Sequence, residues 1–176
     1  MNAALTILFA AIASAPQMIE EPSPRPFTHA LRGDMGLFSA LGFMGASYSI
    51  EPAAKPVMLE LGIGVGFSGA QLSIMPKLVL GSRAHRFTTG VGVSVGIPGL
   101  EIEGGPPGTA LGRQVTPWLN ADIAGYDYRS DSGFTFAASA GLSHPLRNGC
   151  IAVIDSCVDL QGLFLPQFRI GFGRWF

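Results

Sequence analysis

VMLELGIGVGF, residues 57–67, sets Leu61, Ile63, Val65 and Phe67 on one parity and Gly62, Gly64 and Gly66 on the other. Successive residues of a β-strand face opposite sides of the sheet, so this stretch is a ribbon with one bulky face and one bare face. Glycine weakens a strand interior, because it loses the most backbone freedom and offers no side chain to pack. A bare face implies that something approaches it closely.

The same two-sided pattern recurs along the chain. In RFTTGVGVSVGI (86–97), Phe87, Thr89, Val91, Val93, Val95 and Ile97 oppose Arg86, Thr88, Gly90, Gly92, Ser94 and Gly96. QLSIMPKLVLG (71–81) and FTFAASAGLSH (134–144) divide in the same way, into a greasy face and a small or polar one. Composition decides which face points outward. Charged residues make up 13% of the 176-residue chain, the hydrophobic share is 48%, and 24 residues are glycine. A soluble domain averages about 25% charged. Turned outward in water, the glycine and serine faces would leave a surface with too little charge, whereas a greasy face against lipid leaves the small face to line a narrow lumen. Lipid also demands closure, since an open sheet edge strands backbone groups in hydrocarbon. The fold predicted is therefore all-β: a closed antiparallel transmembrane β-barrel with an up-and-down meander. The net charge of -1 excludes a nucleic-acid electrostatic footprint.

Strands are predicted near 30–38, 42–50, 56–67, 70–80, 86–97, 115–128, 133–144 and 162–176, with a tight turn around SALG (39–42). These are about the lengths that a tilted spanning strand needs, and there are about eight. One continuous strand over 34–50 would instead leave an odd count of seven. With eight, both chain ends share one side with the short turns near 51–56, 81–85 and 129–132, and the long loops 98–114 and 145–161 lie opposite. Pro76, Pro117 and Pro166 fall inside predicted strands and imply bulges or broken pairing. Before the barrel, ALTILFAAIASA reads as a secretory signal peptide in residues 1–15, cleaved near 13–15. A Pro-rich linker over 16–28 follows, and the barrel occupies 29–176.

In FLPQFRIGFGRWF (164–176), Phe164, Phe168, Ile170, Phe172 and Phe176 share one parity. This strand resembles the last strand of the small, eight-stranded outer-membrane β-barrel proteins of Gram-negative bacteria, which ends in an aromatic residue preceded by alternating apolar ones. The resemblance implies location in the bacterial outer membrane, outer-membrane lipid as surroundings, and recognition of Ile170, Phe172 and Phe176 by the barrel assembly machinery. Arg174 departs from the pattern, although an arginine can snorkel at a membrane rim.

Charged residues on the lumen parity are Glu60, Lys77, Arg86, Asp122 and Arg169, with Arg32 and Asp34 beside them. A Lys on the lipid face at the midplane costs roughly 2–4 kcal/mol, which gives the parity energetic weight. Folding the chain between residues 68 and 69 sets Glu60 opposite Lys77, and the next turn sets Lys77 opposite Arg86, an ion-pair row that plugs the lumen. VTPWLNADIAGYDYR (115–129) resists a single parity: Asn120 and Asp122 belong inside, yet Trp118, Tyr126 and Tyr128 share their side. A bulge would send the two tyrosines to an interfacial belt.

Cys150 and Cys157, in the last long loop, suit a disulfide in an exported protein. His29, His85 and His144 show no ligand spacing, so no metal or cofactor is expected. Ser143, His144 and Asp155 lie near one another in sequence, but neighbours on a strand point to opposite faces, and no enzyme is expected. The function expected is an integral outer-membrane barrel with a polar, plugged lumen and a structural or surface-interacting role. A narrow pore or small-ligand conduit, and a secreted soluble lipid-binding barrel, are the alternatives. No motif identifies a surface partner.

Overall fold

The computed structural model describes residues 27–52, 56–66, 68–97, 115–147, 150–153, 156–159 and 162–176, with backbone alone for Phe27 and for 150–153 and 156–159. Ten strands form among the described residues: β1 (Phe27–Ser39), β2 (Gly42–Pro52), β3 (Val57–Gly66), β4 (Gly69–Gly81), β5 (His85–Ile97), β6 (Thr116–Arg129), β7 (Phe134–Pro145), β8 (Cys150–Val153), β9 (Ser156–Asp159) and β10 (Leu165–Trp175). Eight of them close into an antiparallel barrel in the order β1-β2-β3-β4-β5-β6-β7-β10, and β10 returns to β1. At the seam Ala30 faces Ser49 on one side and Trp175 on the other, and His29 and Phe176 exchange backbone hydrogen bonds of 2.9 and 2.8 Å. No barrel strand is left with an unpaired edge.

Residues 27–52 fold as a hairpin, with only Ala40 and Leu41 between β1 and β2, so the barrel has eight strands and not seven. Both ends of the described chain and the connections 53–56, 82–84 and 130–133 fall at one end of the barrel, the terminal end. The β1–β2 and β3–β4 turns and the two long connections fall at the other, the loop end. The β7–β10 connection is more than a loop: β8 and β9 pair there as a separate two-stranded hairpin. Four-residue strands are too short to leave a readable alternation. The predicted signal peptide and most of the linker lie outside the described residues, as does the loop 98–114; β1 itself opens at Phe27.

Burial is inverted relative to a water-soluble domain. Outside the wall, Leu31, Met35, Ile63, Phe87, Ile123 and Phe168 are 54% to 65% exposed, while inside it Arg32, Asp34, Glu60, Lys77, Asp122 and Arg169 are 2% to 6% exposed. β6 keeps this order only through a bulge. Ile123 and Ala124 both face outward, and the pairing with β7 shifts between Asp122 and Ala124. Trp118, Asn120 and Asp122 therefore face inward before the bulge, and Gly125, Asp127 and Arg129 after it, with Tyr126 and Tyr128 outside. Of the three prolines, Pro76 is where the β4–β5 ladder skips two residues; Pro117 and Pro166 pair with Val95 and Leu142 without a shift in register.

The glycine face of β3 meets the β1–β2 turn. Ala40 and Leu41 are buried, and the Leu41 side chain points at Gly62. A Cβ added at Gly62 would overlap that side chain, and one at Gly64 would overlap the Leu41 carbonyl. The turn reaches this position because Phe38 and Gly42 both adopt positive φ (51° and 80°), and because Gly42 and Met44 both pair with Val65 across a bulge. The bare face of residues 57–67 is the seat of an inward-folded hairpin turn.

Candidate functional site

The interior is the candidate site. Strand alternation delivers its charges: Arg32 and Asp34 from β1, Glu51 from β2, Glu60 from β3, Lys77 from β4, Arg86 from β5, Asp122, Asp127 and Arg129 from β6, and Arg169 from β10. Five cations thus meet five carboxylates, and the set is neutral. Glycines make room for the longer members: a Cβ at Gly90 would press on the Lys77 stem, and one at Gly171 on the Asp34 carboxylate.

Two linked groups result. Glu60 is the centre of the first, with Arg32 at 2.7 Å, Lys77 at 3.1 Å and Arg169 at 2.5 Å. Lys77 also reaches Asp122 at 2.8 Å, and Arg169 lies 3.6 Å from Asp122 and 3.9 Å from Asp34. Ser47 donates to Asp34 at 2.6 Å. The second group sits toward the terminal end. There Arg86 pairs with both Glu51 and Asp127, and Arg129 lies 2.9 Å from Glu51 and 3.8 Å from Asp127. Arg32 joins the groups, its second guanidinium nitrogen 3.7 Å from Asp127. Removing an ion from water costs several kcal/mol, which close partners of opposite charge offset; every charge here has one within 4 Å, although the buried Nε and Nη2 of Arg129 make no hydrogen bond among the described residues.

Toward the loop end charges give way to neutral polar groups. Gln167 donates to Asp122 at 2.8 Å and to the Ala121 carbonyl at 3.0 Å, Asn120 donates to Ser94 at 3.0 Å, and the Trp118 indole donates to Ser68 at 2.9 Å. Leu41 is buried at this end against Gly62 and Gly64. Between the charged groups, beside Arg32, Lys77, Asp127 and Arg169, a void of about 10 Å³ remains. That is roughly one water-sized sphere.

The structure brings together Glu60, Lys77, Asp122 and Arg169 of the residues selected from sequence, and adds Arg32 and Asp34 to them. The expected cross-strand order is corrected. Glu60 pairs in register with Met75 and Lys77 with Met58, so the Glu60–Lys77 ion pair is diagonal; Lys77 faces Gly90, and Arg86 faces Gly81. Arg86 consequently belongs to the second group and not to a row with Lys77. The turns are the reason: β3 and β4 are joined through Phe67 and Ser68, which shifts their register by two residues, and β4 and β5 through residues 82–84, which shifts theirs by four, both keeping parity. Glu51, Asp127 and Arg129 were missed. Glu51 continues the inward parity of Ser47 and Ser49 and was open to detection, whereas Asp127 and Arg129 lie beyond the β6 bulge.

The expected Cys150–Cys157 disulfide finds no support. The β8–β9 register pairs Cys150 with Asp159 and Ala152 with Cys157, so the two cysteines stand on a diagonal. Diagonal Cα atoms are about 7–8 Å apart, beyond the roughly 4.4–6.8 Å usual for a disulfide. Their side chains lie outside the described residues. Ile170, Phe172 and Phe176 are exposed on the outer wall, with Phe172 packed against Phe136 at 5.1 Å between ring centroids. Ser143 is buried and donates to the Phe38 carbonyl at 2.6 Å, while His144 on the other face lies 2.9 Å from the Leu163 carbonyl and stacks on Phe164; Asp155 lies outside the described residues. Ser143 and His144 share no hydrogen bond. The chain matches no protein-family model, no curated protein and no solved structure.

Proposed function

We propose that this protein is an integral outer-membrane β-barrel whose interior is a permanent polar plug, and that its role is structural or surface-interacting. The observation that carries the reading is the inverted polarity: charge and amide inside, Leu, Ile, Val, Met and Phe outside. An apolar exterior of this extent would drive association in water, whereas hydrocarbon solvates it. The aromatic residues support the same setting. Tyr48, Tyr126 and Tyr128, the three tyrosines of the chain, all take outward parity near the terminal end, with Tyr48 bonded to His29 (2.7 Å) and Tyr126 to His85 (2.6 Å). Such amphipathic rings suit a membrane interface. The outer membrane in particular rests on the resemblance of the final strand.

A conducting lumen would need a continuous polar path, and the interlocked ion pairs, the 10 Å³ void between them and the buried, inward-folded Leu41 weigh against one. A soluble lipid-binding barrel would need an apolar cavity and a polar exterior, the reverse of this arrangement. Flotation with lipid vesicles, combined with gel mobility before and after boiling, tests the proposal. Co-flotation with a heat-dependent mobility shift is expected; a chain that stays monomeric and folded in buffer without amphiphile would refute it.

A further inference from the structure

On the outer wall an apolar groove of about 620 Å³ crosses β5, β6, β7, β10 and β1. Register creates it. Ala124 pairs with Ala140 and Tyr126 with Ala138, so small outward side chains of β6 and β7 lie together as a floor. The β6 bulge contributes, because it is what turns Ala124 outward beside Ile123. Phe168 and Ile170 of β10, paired with Ala140 and Ala138, rise on one side, and Phe87 and Tyr126 on the other. On β7 itself the floor is stopped toward the terminal end by Phe136, packed on Phe172.

The side bounded by Tyr126 has a polar exit. Its hydroxyl lies 2.6 Å from His85 Nδ1, His85 is exposed, and exposed Arg83 stands two residues earlier in the turn at the terminal end. An apolar slot continuous with the exposed apolar wall, bounded on one side by a Tyr–His pair that lies two residues along the chain from an exposed arginine, is complementary to an acyl chain that ends in a phosphate. Resting on the membrane reading above, the geometry points to a site for one anionic phospholipid, with an acyl chain over Ala138 and Ala140 and its phosphate toward Arg83 and the His85–Tyr126 pair. The barrel then carries one bound lipid of the leaflet at its terminal end, distinct from the exchanging lipids around it.

The test uses the full chain, reconstituted with vesicles of phosphatidylglycerol or phosphatidylcholine, re-extracted in mild detergent and weighed by native mass spectrometry. Wild type is expected to retain one phosphatidylglycerol per barrel, and A140F, which fills the floor, at least tenfold less, with heat-modifiable mobility unchanged. If A140F does not fold, A140L on the same outward position replaces it. R83Q is expected to lower phosphatidylglycerol retention severalfold and that of phosphatidylcholine, whose ammonium offsets its phosphate, by less. Undiminished retention in the filled variant overturns the site. So does a lipid-free dimer that A140F dissolves, which would make a second barrel the occupant; equal retention of both lipids by wild type overturns the preference for an anionic headgroup. A chain that floats with vesicles yet keeps no lipid defeats this inference alone, whereas one that does not float defeats the membrane reading beneath it.

Discussion

Glu60 concentrates the energetics of the interior in one carboxylate. Three cations lie within 3.1 Å of it, from β1, β4 and β10, and the most distant in sequence, Arg169, is 109 residues away. Removing one partner of a buried ion pair costs about 3–5 kcal/mol, because the charges left behind stay desolvated. Glu60→Gln is therefore expected to lower the unfolding free energy by about that amount, measured by urea titration of the vesicle-bound protein. Lys77→Met is expected to cost less, since Glu60 keeps Arg32 and Arg169 and Asp122 keeps Arg169. A double-mutant cycle should show the two sites coupled. If both single variants unfolded like wild type, the interior pairs would contribute no stability.

At the scale of elements, the β1–β2 hairpin and β6 set what the wall can enclose. Leu41 occupies the space that Gly62 and Gly64 leave open, so enlarging the glycine and shrinking the leucine should compensate. Gly62→Val is expected to destabilise by roughly 1–3 kcal/mol through overpacking, and Leu41→Ala in the same chain to recover part of that loss, again read by urea titration. Equal stability of the single and double variants would mean that the turn does not seat there. In β6 one extra residue reverses the parity of everything beyond it. Deleting Ala124 should remove the bulge and let Ile123 alternate directly with Gly125, so Asp127 and Arg129 stay inside, the tyrosines stay outside and the heat-dependent gel shift survives; coincident boiled and unboiled mobilities would mean that the bulge itself is needed for closure. These two features mark the border of what is legible in sequence. Faces were legible, because alternation needs only neighbours, and the strand ends came within three residues for the eight barrel strands. Partners were not, because register depends on how many residues a turn holds, and Glu60 alone gives no sign of β10. The bulge was half legible: Trp118, Tyr126 and Tyr128 conflicted with Asn120 and Asp122, but the conflict does not say where the extra residue lies.

The whole molecule is a neutral, interlocked interior inside a closed wall, and each property depends on the other. An eight-stranded barrel is narrow enough for side chains from opposite strands to touch, as Arg169 of β10 and Glu60 of β3 do at 2.5 Å. Without closure the same charges would lose partners, and without the charges the lumen would be a void lined by serine and glycine. What surrounds the wall can be decided by a substitution that leaves the interior untouched. Val93 stands on β5 with 45% of its surface exposed and its side chain outward. In water, an exposed Val→Arg change falls within about 0.5 kcal/mol of neutral. In hydrocarbon, an arginine near the bilayer midplane costs about 2–4 kcal/mol, and the cost fades toward the interfaces. Val93→Arg should consequently destabilise the vesicle-bound protein by that larger amount, and the same change at Leu31, near the terminal rim, by clearly less. A graded penalty along the wall is a property that only a lipid slab imposes. A uniform, near-zero cost at both positions would put water against the apolar face.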